Sequence, residues 1–286
     1  MTDNINLIKD LRAKTGAGFL DCKNALNESN NDIEIAIDYL RKKGLAKATK
    51  KSNRDANEGA IGVFKNDKLL VVLKINTETD FAAKSETFLS FINTLGEVAL
   101  NHGDHKLDKD TFLNLSIDNK NVSDFFTEMI AKIGENLILN DISIFDNQKY
   151  STSFYVHNSY KDNIGKIVSV IQYQSDDQNN EILNFAKNLC MHIAAMKPLS
   201  LDKDDLDQEL ISKEKNIQHE LIVSSGKPTN IIDKIIDGKM NKYFADVTLL
   251  NQKFVLDNDK SVKEVINDFK KKNSFNLISF NLKSLT

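Results

Sequence analysis

Thr79, Asp80 and Phe81 set a hydroxyl, a carboxylate and a large aromatic ring side by side at the end of an apolar run, Leu69-Leu70-Val71-Val72-Leu73-Lys74-Ile75. The types suit recognition rather than bond-making. A carboxylate at the rim of a sheet can cap the helix that follows, and the ring beside it can close the protein's own core. On that reading Asp80 is the cap and Phe81 packs on Phe88 or on the strand pair. The other reading is an exposed anchor, because a rigid aromatic at a protruding corner is what a binding hot spot needs. Fully burying a phenylalanine against a partner is worth about 1.5–3 kcal/mol. The residues by themselves leave both readings open.

Elsewhere, the spacings that covalent chemistry requires do not occur. His219-Glu220 starts like a zinc-protease helix, but position 223 is Val, so the second ligand one turn on is missing. Gly226-Lys227 and Gly238-Lys239 lack the upstream glycine that shapes a phosphate-binding loop. There is no Cys-x-x-Cys and no Gly-x-Ser-x-Gly. His102 and His105 fall in a polar stretch, and His192 in an apolar one where a hydrogen-bonded core histidine is the expectation. The carboxylates mostly stand among lysines, as on a solvated helix face. A binding or regulatory protein is therefore expected rather than an enzyme, with no metal and no cofactor.

Composition agrees with that class. Charged residues make up 28% and hydrophobic ones 41%, ordinary for a globular chain, and the net charge of −3 supplies no general attraction for nucleic acid. No apolar stretch approaches the roughly 18 residues needed to span a bilayer. The start, Met1-Thr2-Asp3-Asn4, lacks the basic-then-apolar order of an export signal, so a cytoplasmic location is expected, with Cys22 and Cys190 as buried, reduced thiols. A length of 286 residues suggests about two or three structural units.

The elements that must position Thr79-Asp80-Phe81 can be read from hydrophobic period. Ile5, Ile8 and Leu11 keep helical spacing, with Gly16 and Gly18 as the break; Phe19, Cys22 and Leu26 form a second stripe. Asp32 is placed to cap a third helix bearing Ile33, Ile37 and Leu40, with Gly44 as its stop. Lys42 to Arg54 reads as a basic, solvated linker, without the interleaved aromatics of a nucleic-acid arm. Residues 60–64 and 69–76 flank Asn66-Asp67 as a strand hairpin. Two helices follow, on Phe88, Phe91, Ile92, Leu95 and Val98 and on Val122, Phe125, Met129, Ile130 and Ile133. Strands are expected over 137–145, 153–157 and 164–173, and a helix over 182–195. Next comes an antiparallel helical pair joined at Gly226-Lys227-Pro228, its first helix carrying only Leu206, Leu210, Ile217 and Leu221 as a thin stripe. A strand over 247–255, a helix opened by the capping box Ser261–Glu264 and a last strand through Phe280 complete the chain. Blocks of helices and hairpin strands without βαβ alternation indicate an α+β fold with antiparallel sheets.

Several runs, in order, resemble the elongation factor Ts family of bacteria. The first spans Lys9 to Leu26, with Thr15-Gly16-Ala17-Gly18-Phe19-Leu20-Asp21-Cys22-Lys23 at its centre, and the second is Ile75-Asn76-Thr77-Glu78-Thr79-Asp80-Phe81-Ala82-Ala83-Lys84. Lys132-Ile133-Gly134-Glu135-Asn136, Met191-His192-Ile193-Ala194-Ala195, Ser225-Gly226-Lys227-Pro228 and Gly238-Lys239-Met240 add to them. The resemblance implies a guanine-nucleotide exchange factor for elongation factor Tu, without covalent chemistry. It implies a ubiquitin-associated-like three-helix domain plus linker over 1–54, a core subdomain over 55–140 and a second over 141–286, with a projecting helical hairpin at about 203–243. Thr79, Asp80, Phe81 and Ala82 would dislodge the magnesium ion on Tu, supported by Ile133. Arg12, Phe19 and Leu20 would meet the GTPase domain of Tu, although Phe19 suits bundle core equally well. Tyr155 and His157 would meet its third domain. No direct nucleic acid and no membrane enter this picture; a homodimer and a one-to-one complex with Tu both stay open.

The chain departs from the family pattern at Lys74, where glutamate is usual, at Glu78, where glutamine is, and at Ala82, where valine is. The first two exchange charge near the wedge. It also stops soon after the last strand, where relatives often carry a further helix, so that contact with Tu is not expected. The alternative from another class is a helical-bundle adaptor that binds a different protein through its N-terminal domain.

Overall fold

The computed structural model describes residues 2–15, 17–117, 120–225 and 228–285. They form two compact units, one of 1–148, 158–166 and 283–286, the other of 149–157 and 167–282. Gly16, expected to break the first helix, and Gly226-Lys227, expected to join the hairpin, lie outside the described residues. The mixture is the α+β one expected, with antiparallel strand pairs.

The first unit begins with α1 (Thr2–Thr15), α2 (Phe19–Glu28) and α3 (Ile33–Lys51), closed around Ile8, Leu11, Cys22, Ala25, Leu26 and Ala36. Asp32 caps α3 as the sequence suggests, accepting from the Ile35 amide at 3.0 Å. Gly44 does not stop this helix, and the stretch read as a linker is helical through Lys51. The reason is a close helix crossing. Gly44 is buried, and a Cβ on it would meet the Ala131 Cβ at 3.1 Å; Ala48, one turn on, is buried in the core of this unit. Small residues leave no apolar stripe to read, so the lysines around them dominate the pattern.

The chain continues through β1 (Glu58–Lys65), β2 (Leu69–Thr77), α4 (Asp80–Ala83), α5 (Glu86–His102) and α6 (Lys109–Leu113). A short ribbon of β3 (Ser116–Ile117) and β4 (Lys120–Asn121), α7 (Val122–Ile133) and β5 (Ile138–Asp146) follow. The β1–β2 hairpin turns on Asn66, whose side-chain oxygen accepts from the amides of Lys68 and Leu69 at 2.9 and 2.8 Å. β2 pairs with β1 on one edge and β5 on the other. Eight of its nine residues are buried, which is why it reads as a continuous apolar run rather than an alternating one. Phe91 of α5 meets Phe125 and Phe126 of α7 at centroid distances of 4.9 and 4.8 Å, edge to face.

The second unit takes residues from β6 (Ser151–Lys161) and β7 (Ile164–Gln174), then α8 (Asn180–Met196), α9 (Gln208–Ser224), α10 (Thr229–Val247), β8 (Lys253–Phe254), β9 (Asp257–Ser261), α11 (Val262–Lys270) and β10 (Asn276–Ser284). β7 pairs with both β6 and β10. The core lies around Ile171, Tyr173, Phe185, Leu189, Ile193, Val262 and Phe275. The Ser261–Glu264 capping box is formed as read. Two expectations are corrected. Residues 247–255 are not one strand: Val247 ends α10, Thr248 makes an isolated bridge to Ser200, a 3₁₀ turn covers Leu249–Asn251, and the strand itself is only Lys253–Phe254. Of the stripe read on the first hairpin helix, Leu206 is buried but precedes α9, and the three residues within α9 point outward. Leu210, Ile217 and Leu221 are 40%, 40% and 60% exposed, whereas Ile211 and buried Ile222 meet Ile232, Ile235, Ile236 and Met240 of α10. Two apolar rows lie side by side on a charged helix, and periodicity alone does not choose between them.

His192 is buried without contact to water, as the sequence reading expected of a core histidine. The Val255 amide donates to its Nδ1 at 3.2 Å, which leaves the proton on Nε2 to donate to Gln252 Oε1 at 3.0 Å. Burial lowers its pKa from the ordinary 6.5, against the Gln252 hydrogen bond. The unfolded state then binds a proton before the folded one does. Its contribution is complete above about pH 6.5 and is lost as pH falls toward the lowered folded value. The urea midpoint is expected to drop between pH 7.5 and 5.5, and His192→Gln to flatten that slope; an equal slope in the variant would assign the pH dependence to other groups.

Candidate partner-binding site

Thr77 ends β2 and its hydroxyl donates to the Thr79 carbonyl at 2.8 Å, which turns the chain off the sheet edge. Thr79 is the cap of α4, and its Oγ1 accepts from the Ala82 amide at 3.2 Å. Asp80 is thus the first helical residue and not the cap. Its carboxylate meets Lys84 Nζ at 2.7 Å, one turn on. That hydrogen bond holds the Asp80 carboxyl below its usual range and raises the lysine, so both are charged at neutral pH. The Lys84 ammonium also lies 5.9 Å from the centre of the Tyr160 ring.

Within this single turn the side chains divide. Ala82 and Ala83 are buried at 8% and 0% exposure, and Phe81 is 83% exposed. The ring does not fill the core and does not pack on Phe88, which is itself fully buried. Two small residues seat the turn on the unit, and the large one stands in solvent. An isolated phenylalanine ring in water gains nothing from folding; its value is available to whatever covers it.

A second segment holds the turn from the side. α7 ends at Gly134, whose φ of 88° is left-handed and free of strain only for glycine. The reversal presents Glu135 to Thr79: one carboxylate oxygen accepts from the Thr79 amide at 3.0 Å, the other from its hydroxyl at 2.6 Å. Glu78 faces back, accepting from the Asn136 amide at 2.7 Å and pairing with Arg54 at 3.3 Å. The Asn136 side chain donates to the carbonyls of Arg54 and Ser52 at 2.9 and 3.4 Å, and Lys51 donates to the Gly134 carbonyl. The end of α3, the end of α7 and the start of α4 therefore share one hydrogen-bond network.

Of the residues picked out from sequence, Thr79, Asp80, Phe81 and Ala82 fall on this turn, and Ile133, partly buried against the core, closes α7 beside it. Arg12 is exposed on α1, and Phe19 and Leu20 open α2 with exposures of 50% and 68%, so Phe19 is surface rather than bundle core. His157 belongs to the second unit; it is exposed, with Nδ1 3.3 Å from the Tyr155 hydroxyl. Of the departures from the family pattern, Glu78 has its Arg54 partner, and Lys74 donates to the Ser284 carbonyl at 2.7 Å. The roles of Glu135, Asn136 and Arg54 were not legible beforehand. A glycine closing an apolar helical stripe, followed by Glu-Asn, was the signal available, but nothing in spacing says that these residues face Thr79 and Glu78. Among the described residues, no group of three His, Cys, Asp or Glu is arranged to hold a metal, and no helix is long and apolar enough to cross a membrane.

Comparison with known proteins bears on the same residues. Residues 78–284, from the edge of this turn nearly to the end of the chain, match the family described as Elongation factor TS. Elongation factor Ts of Sinorhizobium fredii is 40% identical over 272 residues, covering 95% of this chain and 88% of that protein. The namesake from Ehrlichia ruminantium is 37% identical over 99% of this chain and 98% of its own length, and that from Magnetococcus marinus 39% over 93% and 86%. The match takes in both units and the turn that presents Phe81, so this chain belongs to the elongation factor Ts family, of translation elongation.

Proposed function

We propose that this chain is a guanine-nucleotide exchange factor for elongation factor Tu, and that Phe81 is its working part. The observation that carries the reading is the 83% exposure of a phenylalanine on a turn otherwise fixed by buried alanines and a carboxylate clamp. A GTPase holds GDP through backbone amides at a helix N-terminus and through a magnesium ion that bridges phosphate and protein oxygens. A ring driven between two elements of the GTPase domain, with the Asp80 carboxylate beside it, moves those groups out of register and dislodges the ion. GDP then leaves and GTP binds. The exchange factor and GDP each weaken the other's hold on Tu, and the coupling is reciprocal.

In this reading residues 1–54 dock on the GTPase domain through Arg12, Phe19 and Leu20. Residues 55–140 carry Thr79, Asp80, Phe81 and Ala82 with Ile133 behind them. Residues 141–286 reach the third domain of Tu through His157, whose ring is held by Tyr155. No bond in the nucleotide is made or broken, so no nucleophile or general base is needed. The test is release of fluorescent GDP from the matching Tu: acceleration that saturates with added chain is expected, and release no faster than from Tu alone would rule the reading out.

A further inference from the structure

Phe81 has no packing of its own to hold it in place, so something else must set its direction. A single turn of helix does not do so, because an isolated turn is far too short to be stable. Thr79 caps that turn, and both of its donors, the amide and the hydroxyl, end on the carboxylate of Glu135 at 3.0 and 2.6 Å. The same hydroxyl accepts the Ala82 amide at 3.2 Å. One residue thus reads the Glu135 carboxylate on one side and fixes the first turn of α4 on the other. Glu135 is in turn oriented by left-handed Gly134 before it and by Asn136 after it, which donates from its amide to Glu78 and from its side chain to the carbonyls of Ser52 and Arg54, just past α3.

We propose that Glu135 is a positioning residue for nucleotide exchange: its two-point hold on Thr79 keeps the α4 turn preformed and Phe81 directed outward before the partner arrives. Arg54 and Asn136 brace the clamp through Glu78. This rests on the exchange-factor reading. It adds that the wedge is rigid in the free chain, so the partner spends no binding free energy on ordering it. Losing a hydrogen-bonded charged clamp of this kind is expected to slow the maximal release rate about tenfold. The half-saturating concentration should move much less, because Arg12, Phe19, Leu20 and His157 are untouched.

The experiment is stopped-flow release of fluorescent GDP from Tu across a range of concentrations of the full chain. The variants are Glu135→Ala, Phe81→Ala, the double variant, and Thr79→Ser beside Thr79→Val. Phe81→Ala and Glu135→Ala are both expected to lower the maximal rate, and the double variant to be no slower than Phe81→Ala, since Glu135 acts through the ring. Thr79→Ser, which keeps amide and hydroxyl, is expected to retain the rate, and Thr79→Val to lose it. Backbone hydrogen exchange of the free Glu135→Ala chain should quicken at Ala82 and Ala83 while β1 and β2 keep their protection, a local loosening that misfolding would not give. A slow Phe81→Ala with a normal Glu135→Ala overturns the clamp and leaves the exchange reading standing. Additive losses in the double variant also overturn it, because Glu135 would then act apart from Phe81. A normal Phe81→Ala takes the working part away from Phe81, and the clamp with it, while exchange itself stands or falls with the rate of the unsubstituted chain.

Discussion

Phe81→Ala is expected to slow GDP release from elongation factor Tu by about ten- to hundredfold while leaving the chain as stable as before. The rate figure follows from about 1.5–3 kcal/mol for burying a phenylalanine, realised only once the ring is enclosed by the partner. The stability figure follows from exposure. With 83% of its surface in water, the ring gives little to its own fold, and a surface substitution away from caps and cores stays within about 0.5 kcal/mol. The cap is Thr79 and the seat is Ala82 and Ala83, so truncation at position 81 removes neither. Urea denaturation and a release assay on the same preparation check both halves. A slow variant that is also destabilised by about 2 kcal/mol or more would mean that the ring supports the fold, and an unchanged rate would mean that it serves no exchange.

Phe91→Ala is expected to have the opposite profile, a cost of about 3–5 kcal/mol in stability. This ring is 2% exposed and sits edge to face with both Phe125 and Phe126, at 4.9 and 4.8 Å. Its removal forfeits those contacts and opens a cavity between α5 and α7, two rigid helices that cannot close over it fully. The functional consequence travels along α7, because Gly134 and Glu135 at its end hold Thr79. Chemical denaturation should show a midpoint far below that of the unsubstituted chain. A loss under about 1 kcal/mol would place the core of this unit elsewhere.

The strand hairpin, the helices behind it and the caps at Asp32 and Ser261 were legible because each is written locally. Asn66 closes its own turn, Asp32 and Ser261 cap the helices that follow them, and Phe88, Phe91 and Leu95 repeat at helical spacing. What failed to read was set by contacts distant in sequence. Gly44 looks like a helix stop until Ala131 is placed against it, and the lysines around it hide a continuous helix. The outward row on α9 and the inward one differ by a single residue step, and only α10 decides which is buried. The site divides the same way. Thr79, Asp80 and Phe81 could be picked out as a group, but spacing gave the ring two fates and made Asp80 the cap. Thr79 takes that place because its hydroxyl is fixed by Glu135, more than fifty residues on, and that partnership leaves no mark in either local pattern.

The fate of the ring on meeting its partner can be watched directly. The chain contains no tryptophan, so Phe81→Trp introduces the single indole that it contributes to a complex. Iodide quenching of that fluorophore, corrected for the emission of Tu alone, should be strong in the free chain and fall sharply when nucleotide-free Tu is added to saturation. Quenching that stays as strong in the complex would show a side chain still in open water, and the exchange mechanism would be left without a wedge.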